Sequence, residues 1–162
     1  MTTSRPSTAW PSVAHAATLG ALCGARSMLP LVQLARAARA EDAPGRVRWL
    51  GRAAAPLALA AGGELVYDKL PGAGSRLAPP ALVARCIGGA IAGATVFAAA
   101  RRSALPGALV GAIAAAAGAW VTHRARVGSS APVSARALQR RGAIEDVIVG
   151  TLAGRAARSA MA

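Results

Sequence analysis

The sequence predicts an all-α membrane protein, a polytopic helical bundle of about four to five Ala/Gly-rich helices with one short or re-entrant segment. Three observations lead there. Hydrophobic residues make up 54% of the 162 residues, yet aromatics are only 3%, with one Phe and one Tyr. So few bulky groups cannot fill a core folded by water, whereas small side chains suit helices that pack closely in lipid. Leu105–Thr122 is a run of 18 residues without a charge, long enough to cross a hydrocarbon core. The arginines mostly flank apolar runs, as headgroup anchors do.

Residues 1–11 are polar and contain Pro6 and Pro11, which predicts a flexible N-terminus. The helical domain is expected over 12–158, with a short tail at 159–162. A first span is expected from Ser12 to Ala35, interrupted by Arg26 and Pro30. His15, the abutting Arg26 and the lack of a small-x-small cleavage site argue against a removed signal peptide. A basic loop with Pro44-Gly45 at its turn follows. Ala53–Tyr67 is apolar but has only 15 residues, about 22 Å of helix against a ~30 Å core, so it is a thin span or stops partway. Beyond a Gly/Pro connector, Ala81–Ala100 is the third span and Leu105–Thr122 the fourth, linked by Arg101-Arg102. A basic loop covers 123–141. The last segment, Ala143–Ala157, contains Glu145, Asp146 and Arg155, consistent with a short span, a re-entrant piece or an interfacial helix.

Four segments carry a GxxxG: Gly20/Gly24, Gly89/Gly93, Gly107/Gly111 and Gly150/Gly154. Positions i and i+4 share a helix face, so each pair offers a groove to a neighbouring backbone. Gly20-Ala-Leu-Cys-Gly-Ala25 also matches Gly107-Ala-Leu-Val-Gly-Ala112, each followed ~40 residues later by an acidic cluster (Glu64/Asp68, then Glu145/Asp146), which is either an inverted repeat of the kind transporters carry or, the stronger explanation, chance between Ala/Gly-rich helices. The basic loops at 36–52 and 123–141 should share the cytoplasmic side, yet three full spans between them would separate them. Either 53–67 does not cross or one loop breaks the rule.

The net charge is +13, from 19 Lys+Arg against 6 acidic residues. A nucleic-acid surface would gather its arginines with polar and aromatic partners. Their flanking positions argue instead for a bilayer with anionic headgroups and against nucleic acid. Cys23 and Cys86 lie in apolar stretches and read as small buried hydrophobes. With only His15 and His123 beside them, neither a metal site nor a cofactor is expected.

Ionised groups at membrane depth cost about 3 kcal/mol or more each, so they pair or line a polar cavity. The candidates are Arg26, Glu64, Asp68, Lys69, Arg76, Arg85, Glu145 and Asp146. Glu64 and Asp68 are four apart on one helical face. Glu145 and Asp146 stand early in the last helix, where the helix dipole favours negative charge. Arg26 and Arg85 are their natural counter-ions. Such a set forms either structural salt bridges or a polar site for a small ion or solute. No nucleophile, base and orienting group come together, so catalysis is not expected.

Gly24-Ala-Arg-Ser-Met28, Glu64-Leu-Val-Tyr-Asp-Lys-Leu-Pro71, Ser75-Arg76, Arg85 ahead of Gly88-Gly89, and Glu145-Asp146 carry a resemblance. Together they look like the bacterial small membrane proteins catalogued as domain of unknown function 4126. The likeness covers most of residues 15–155, and Glu-Leu-x-x-Asp-Lys-Leu-Pro is its most specific element. It implies a multi-pass helical protein of the bacterial inner membrane and supplies no activity. Ala25 departs from the pattern, where a bulkier Leu is usual. The polar N-terminus and the 123–141 loop look like additions, suited to a partner.

Two readings follow. One is a small transport- or channel-like protein with a charged site for an ion or polar solute. The other is a non-catalytic accessory or assembly subunit of a larger membrane complex. The first is expected to self-associate as a homo-oligomer, and the second to sit in a membrane complex.

Overall fold

The computed structural model describes residues 10–40, 43–67, 78–127 and 135–162. Among them the chain forms seven helices and no strand. These are α1 (Trp10–Ala25), α2 (Leu29–Ala40), α3 (Arg48–Arg52), α4 (Ala54–Tyr67), α5 (Pro79–Ala99), α6 (Ala104–Val127) and α7 (Ala135–Met161).

Proline sets several of the boundaries. Pro30 has no N–H, and its ring excludes the carbonyl four residues back, so it fits only the first turn of a helix. The segment expected to be one span over 12–35 therefore stops and restarts. Arg26 donates the closing bond of α1 to the Leu22 carbonyl, and Val32 opens α2 by donating to Met28. Pro79 and Pro80 occupy the opening positions of α5. At the other end of α5, Arg101 has φ 56°, and the amides of Arg101 and Arg102 donate to the carbonyls of Ala98 and Phe97. This is the left-handed helix stop usually made by glycine, and it turns the chain into α6.

Other boundaries differ from the sequence expectation. The basic stretch 36–52 is not one loop: it holds the end of α2, the turn closed by Val47 donating to Pro44, and α3. The loop expected over 123–141 is helical up to Val127 and from Ala135 onward. The last helix has 27 residues, because Ala, Leu and Arg favour helix whether or not they sit in lipid. Two helical segments, Pro79–Ala99 and Ala104–Ala125, are long and apolar enough to cross a membrane, and Ala54–Val66 is a shorter apolar helix. The expectation of four to five spans thus narrows to two by this measure.

The helices form two groups. In the first, α1, α5 and α6 meet through their glycines. Gly93 abuts Gly107 and Gly89 abuts Gly111, so α5 and α6 run antiparallel. Gly20 abuts Gly111 and Gly24 abuts Ala115, so α1 runs parallel to α6. A methyl on any of these glycines would run into a backbone carbonyl of the neighbouring helix. Gly111 takes Gly20 on one side and Gly89 on the other, so it faces two helices at once. In the second group α2 packs on α7, α3 and α4, sealed by larger side chains including Leu34, Val47, Leu50 and Met161.

On α5 and α6 the larger side chains lie mostly outside, Val96 and Phe97 being the buried exceptions. Val83, Ile87 and Ile91 form an exposed ladder on α5, and Leu105, Leu109 and Ile113 form another on α6, with Ile113 70% exposed. Their i+4 spacing places each ladder on one helix face. Gly89, Gly93, Gly107 and Gly111 are buried.

Candidate functional site

The two groups join at the α1–α2 break, and the charged residues collect there. Breaking a helix leaves backbone amides at the new N-terminus without a partner. Glu64, reaching across from α4, supplies it: its two carboxylate oxygens accept from the amides of Ser27 (2.9 Å) and Met28 (3.0 Å). A carboxylate against an N-terminus is also favoured by the helix dipole. The partner comes from 36 residues along the chain, so the cap is tertiary.

Arg26, 4% exposed, is the first residue of the break. Its Nε donates to Oδ1 of Asp146 on α7 at 2.6 Å, a charge-assisted bond. This ion pair ties α7 to the break as Glu64 ties α4. Arg85 is also 4% exposed, and its Nη1 donates to the Ala81 carbonyl one turn back at 3.4 Å. Gly88, one turn further along α5, lies against the break: a methyl there would stand 3.1 Å from the Ser27 carbonyl oxygen. Arg85 thus comes from the helix that covers the break on its third side.

Glu145 lines an apolar groove of about 750 Å³ between α1, α6 and α7, walled by Ala21, Leu22, Val121, Ile144 and Ile148. Thr122, on the same wall, donates its hydroxyl to the carbonyls of Gly118 and Ala119 in its own helix. Asp68, Lys69 and Arg76 lie outside the described residues. The structure therefore brings Arg26, Glu64 and Asp146 to one place, with Glu145 next to Asp146 in the chain and Arg85 one turn from Gly88, which packs on the break.

Three of the four GxxxG pairs lie at the α1/α5/α6 contacts. Gly150 and Gly154 differ, with Leu29 and Gln33 side chains at 3.6 Å and nothing closer. Gly118, not singled out in the sequence, abuts the Ala21 backbone; its seven-residue distance from Gly111 on the same helix face was the available signal. The Ser27 and Met28 amides had no signal at all, because a backbone donor is released only by the break.

Among the described residues no group of three or more His, Cys, Asp or Glu could hold a metal ion. Cys23 and Cys86 are free thiols, the first buried. Chemically, the site holds charge: the carboxylates of Glu64 and Asp146 and the guanidinium of Arg26 meet at an interrupted helix. No family model matches the chain, and neither a curated protein nor a solved structure matches it.

Proposed function

We propose that the chain is a small multi-pass protein of the bacterial inner membrane, transport- or channel-like, whose site at the α1–α2 break takes a small ion or polar solute. One observation carries the reading: the Glu64 carboxylate spans the two amides exposed by an interrupted helix, beside the Arg26–Asp146 pair. Irregular backbone near a membrane face is tolerated where it is buried in protein or lines a polar cavity, and interrupted helices are where transporters bind their ions. The inside-out distribution of bulk supports the membrane itself, since exposed Ile and Leu ladders are covered by acyl chains at no cost.

The reading also gives an orientation. With α5 and α6 crossing and the 16-residue α1 packed parallel to α6, the slab runs from Trp10, Arg101 and Arg102 at one end to the break, Trp120 and Arg124 at the other. Arg124 stacks on the Trp120 ring, 4.8 Å from its centroid, an anchor suited to the interface. Arg36, Arg39, Arg46, Arg48 and Arg52 then follow the break on the Arg124 side, which is cytoplasmic by the positive-inside rule. Because α5 and α6 form a hairpin and α4 need not cross, both basic stretches fall on one side. The resemblance carried by Glu64–Pro71 remains part of this proposal.

The test is flux. Proteoliposomes loaded with a pH-sensitive dye and held under a potassium diffusion potential should show proton flux that Glu64→Gln reduces at least about tenfold. The variant should keep its helical circular dichroism, since Gln retains one acceptor for the break. Native-level flux with Glu64→Gln, or no flux above empty vesicles across a panel of small cations and anions, sinks the transport reading. The accessory-subunit reading then takes over; the open α1/α6/α7 groove favours it, and it requires fixed partners on native purification.

A further inference from the structure

Helices α2 and α3 set two pairs of arginines against each other. Arg36 and Arg39 lie about one turn apart on α2, and Arg48 and Arg52 about one turn apart on α3. Gly51 is buried between them and lets the α3 backbone settle on Arg39, whose Cβ would be 3.3 Å from a methyl at that position. Two adjoining hollows result, of about 600 and 560 Å³, both lined by Arg39. Arg48 and Arg52 line the first and Arg36 the second. Among the described residues, none of the four arginines makes an ion pair or a hydrogen bond.

Four exposed arginines along two adjoining hollows make a positive surface, and guanidinium forks match phosphate oxygens in pairs. The remaining walls are apolar. Ala54, Ala55 and Ala58 of α4 line the second hollow, and Leu59, next along that helix, is 79% exposed. Phosphate-binding groups beside a bare aliphatic helix suit an amphiphile better than a free anion. We propose that this arginine clasp binds the phosphate of an anionic phospholipid, with an acyl chain lying along α4. The proposal rests on the membrane reading above and gives it one specific lipid site.

Trp49 stands between Arg48 and Leu50 and is exposed, so it reports on the clasp. A Trp10→Phe/Trp120→Phe protein retains it as the single tryptophan. In nanodiscs of phosphatidylcholine, increasing fractions of brominated phosphatidylglycerol should quench Trp49. Arg39→Ala and Arg52→Ala should each raise the fraction needed for half-quenching about fivefold, the loss expected for one basic contact near an anionic surface. Overlaying curves for the native and variant proteins would overturn the clasp, as would equal quenching by brominated phosphatidylcholine. Reversal of the quenching by millimolar inorganic phosphate would make the ligand a free anion and overturn the lipid assignment. A native chain that fails to enter nanodiscs at all removes the membrane reading and the clasp together, whereas entry with overlaying curves removes the clasp alone.

Discussion

Between Gly20, Gly89 and Gly111 the helices touch backbone to backbone, while between Gly154 and Gln33 they touch through side chains. The α1/α5/α6 stack closes most tightly where side chains are absent, with Leu19, Val96 and Phe97 buried beside the glycines, whereas the α2/α3/α4/α7 layer is sealed by side chains. In the stack, dispersion between closely approached backbones must do the work that bulky side chains do elsewhere, and dispersion falls off within a fraction of an ångström. The layer instead uses Leu34, Val47, Leu50 and Met161, whose rotamers can adjust. The stack should therefore be brittle and the layer tolerant, although both are written in the same Ala/Gly-rich alphabet.

The sharpest way to break this comparison is one methyl at the glycine that faces two helices. Gly111→Ala places its Cβ against the Gly89 carbonyl, with the Gly93 Cα also 3.2 Å away. Neither obstacle is a movable side chain. We expect a loss of at least about 3 kcal/mol, the upper part of the overpacking range, read as a fall in denaturation midpoint in detergent micelles. Maleimide should reach Cys23 in the variant, since that thiol is buried in the native stack. A variant that melts like the native protein and keeps Cys23 protected would remove the distinction between the two regions. The same contact bears on assembly: the glycine faces of α1, α5 and α6 are occupied within the chain, so those motifs do not argue for a second copy.

How far the sequence reveals all this depends on the range of each interaction. The all-helical class, the charge-free α6 and the proline-led start of α5 are local properties, and they are legible. So are the three glycine pairs of the stack, because i and i+4 fix a face, but not which face meets which, since Gly20 and Gly89 both find Gly111. The site was legible as a set of residue types and not as an arrangement. Arg26 has Asp146 as its partner 120 residues away, and Glu64 binds amides that exist as donors only because Pro30 breaks the helix. The fourth GxxxG has the same letters and a different environment, which composition cannot distinguish.

The junction between the two regions supplies an intermediate effect. Arg26 and Asp146 have side chains 5% and 20% exposed, so removing one partner leaves a desolvated charge. Asp146→Ala should cost about 3 kcal/mol, within the range for breaking buried pairs. Replacing both, as Arg26→Met/Asp146→Met, should recover most of the loss because no charge is then stranded. Thermal melts of the single and double variants in one detergent give the comparison directly. If the double variant is no more stable than the single one, the pair is more than a clamp, and its charges serve the site itself.

The smallest effect is the most discriminating. Gly154 belongs to a GxxxG as good as the other three, and a motif-based view expects Gly154→Ala to be damaging. Its surroundings say otherwise: the nearest atoms to an added methyl are the Arg158 Nη1 and the Gln33 Oε1, both at 3.6 Å and both ends of flexible side chains. Ordinary contact replaces empty space, and alanine also costs less backbone entropy than glycine inside a helix, by about 0.5–1 kcal/mol. Gly154→Ala should thus leave the denaturation midpoint unchanged or raise it slightly. A clear loss of stability would mean that α7 approaches a neighbour more closely than Gln33 allows, either α2 in another packing or a second chain lying against that face. The glycines of α7 would then belong with those of the stack, and the line between a brittle region and a tolerant one would have to be redrawn around α7.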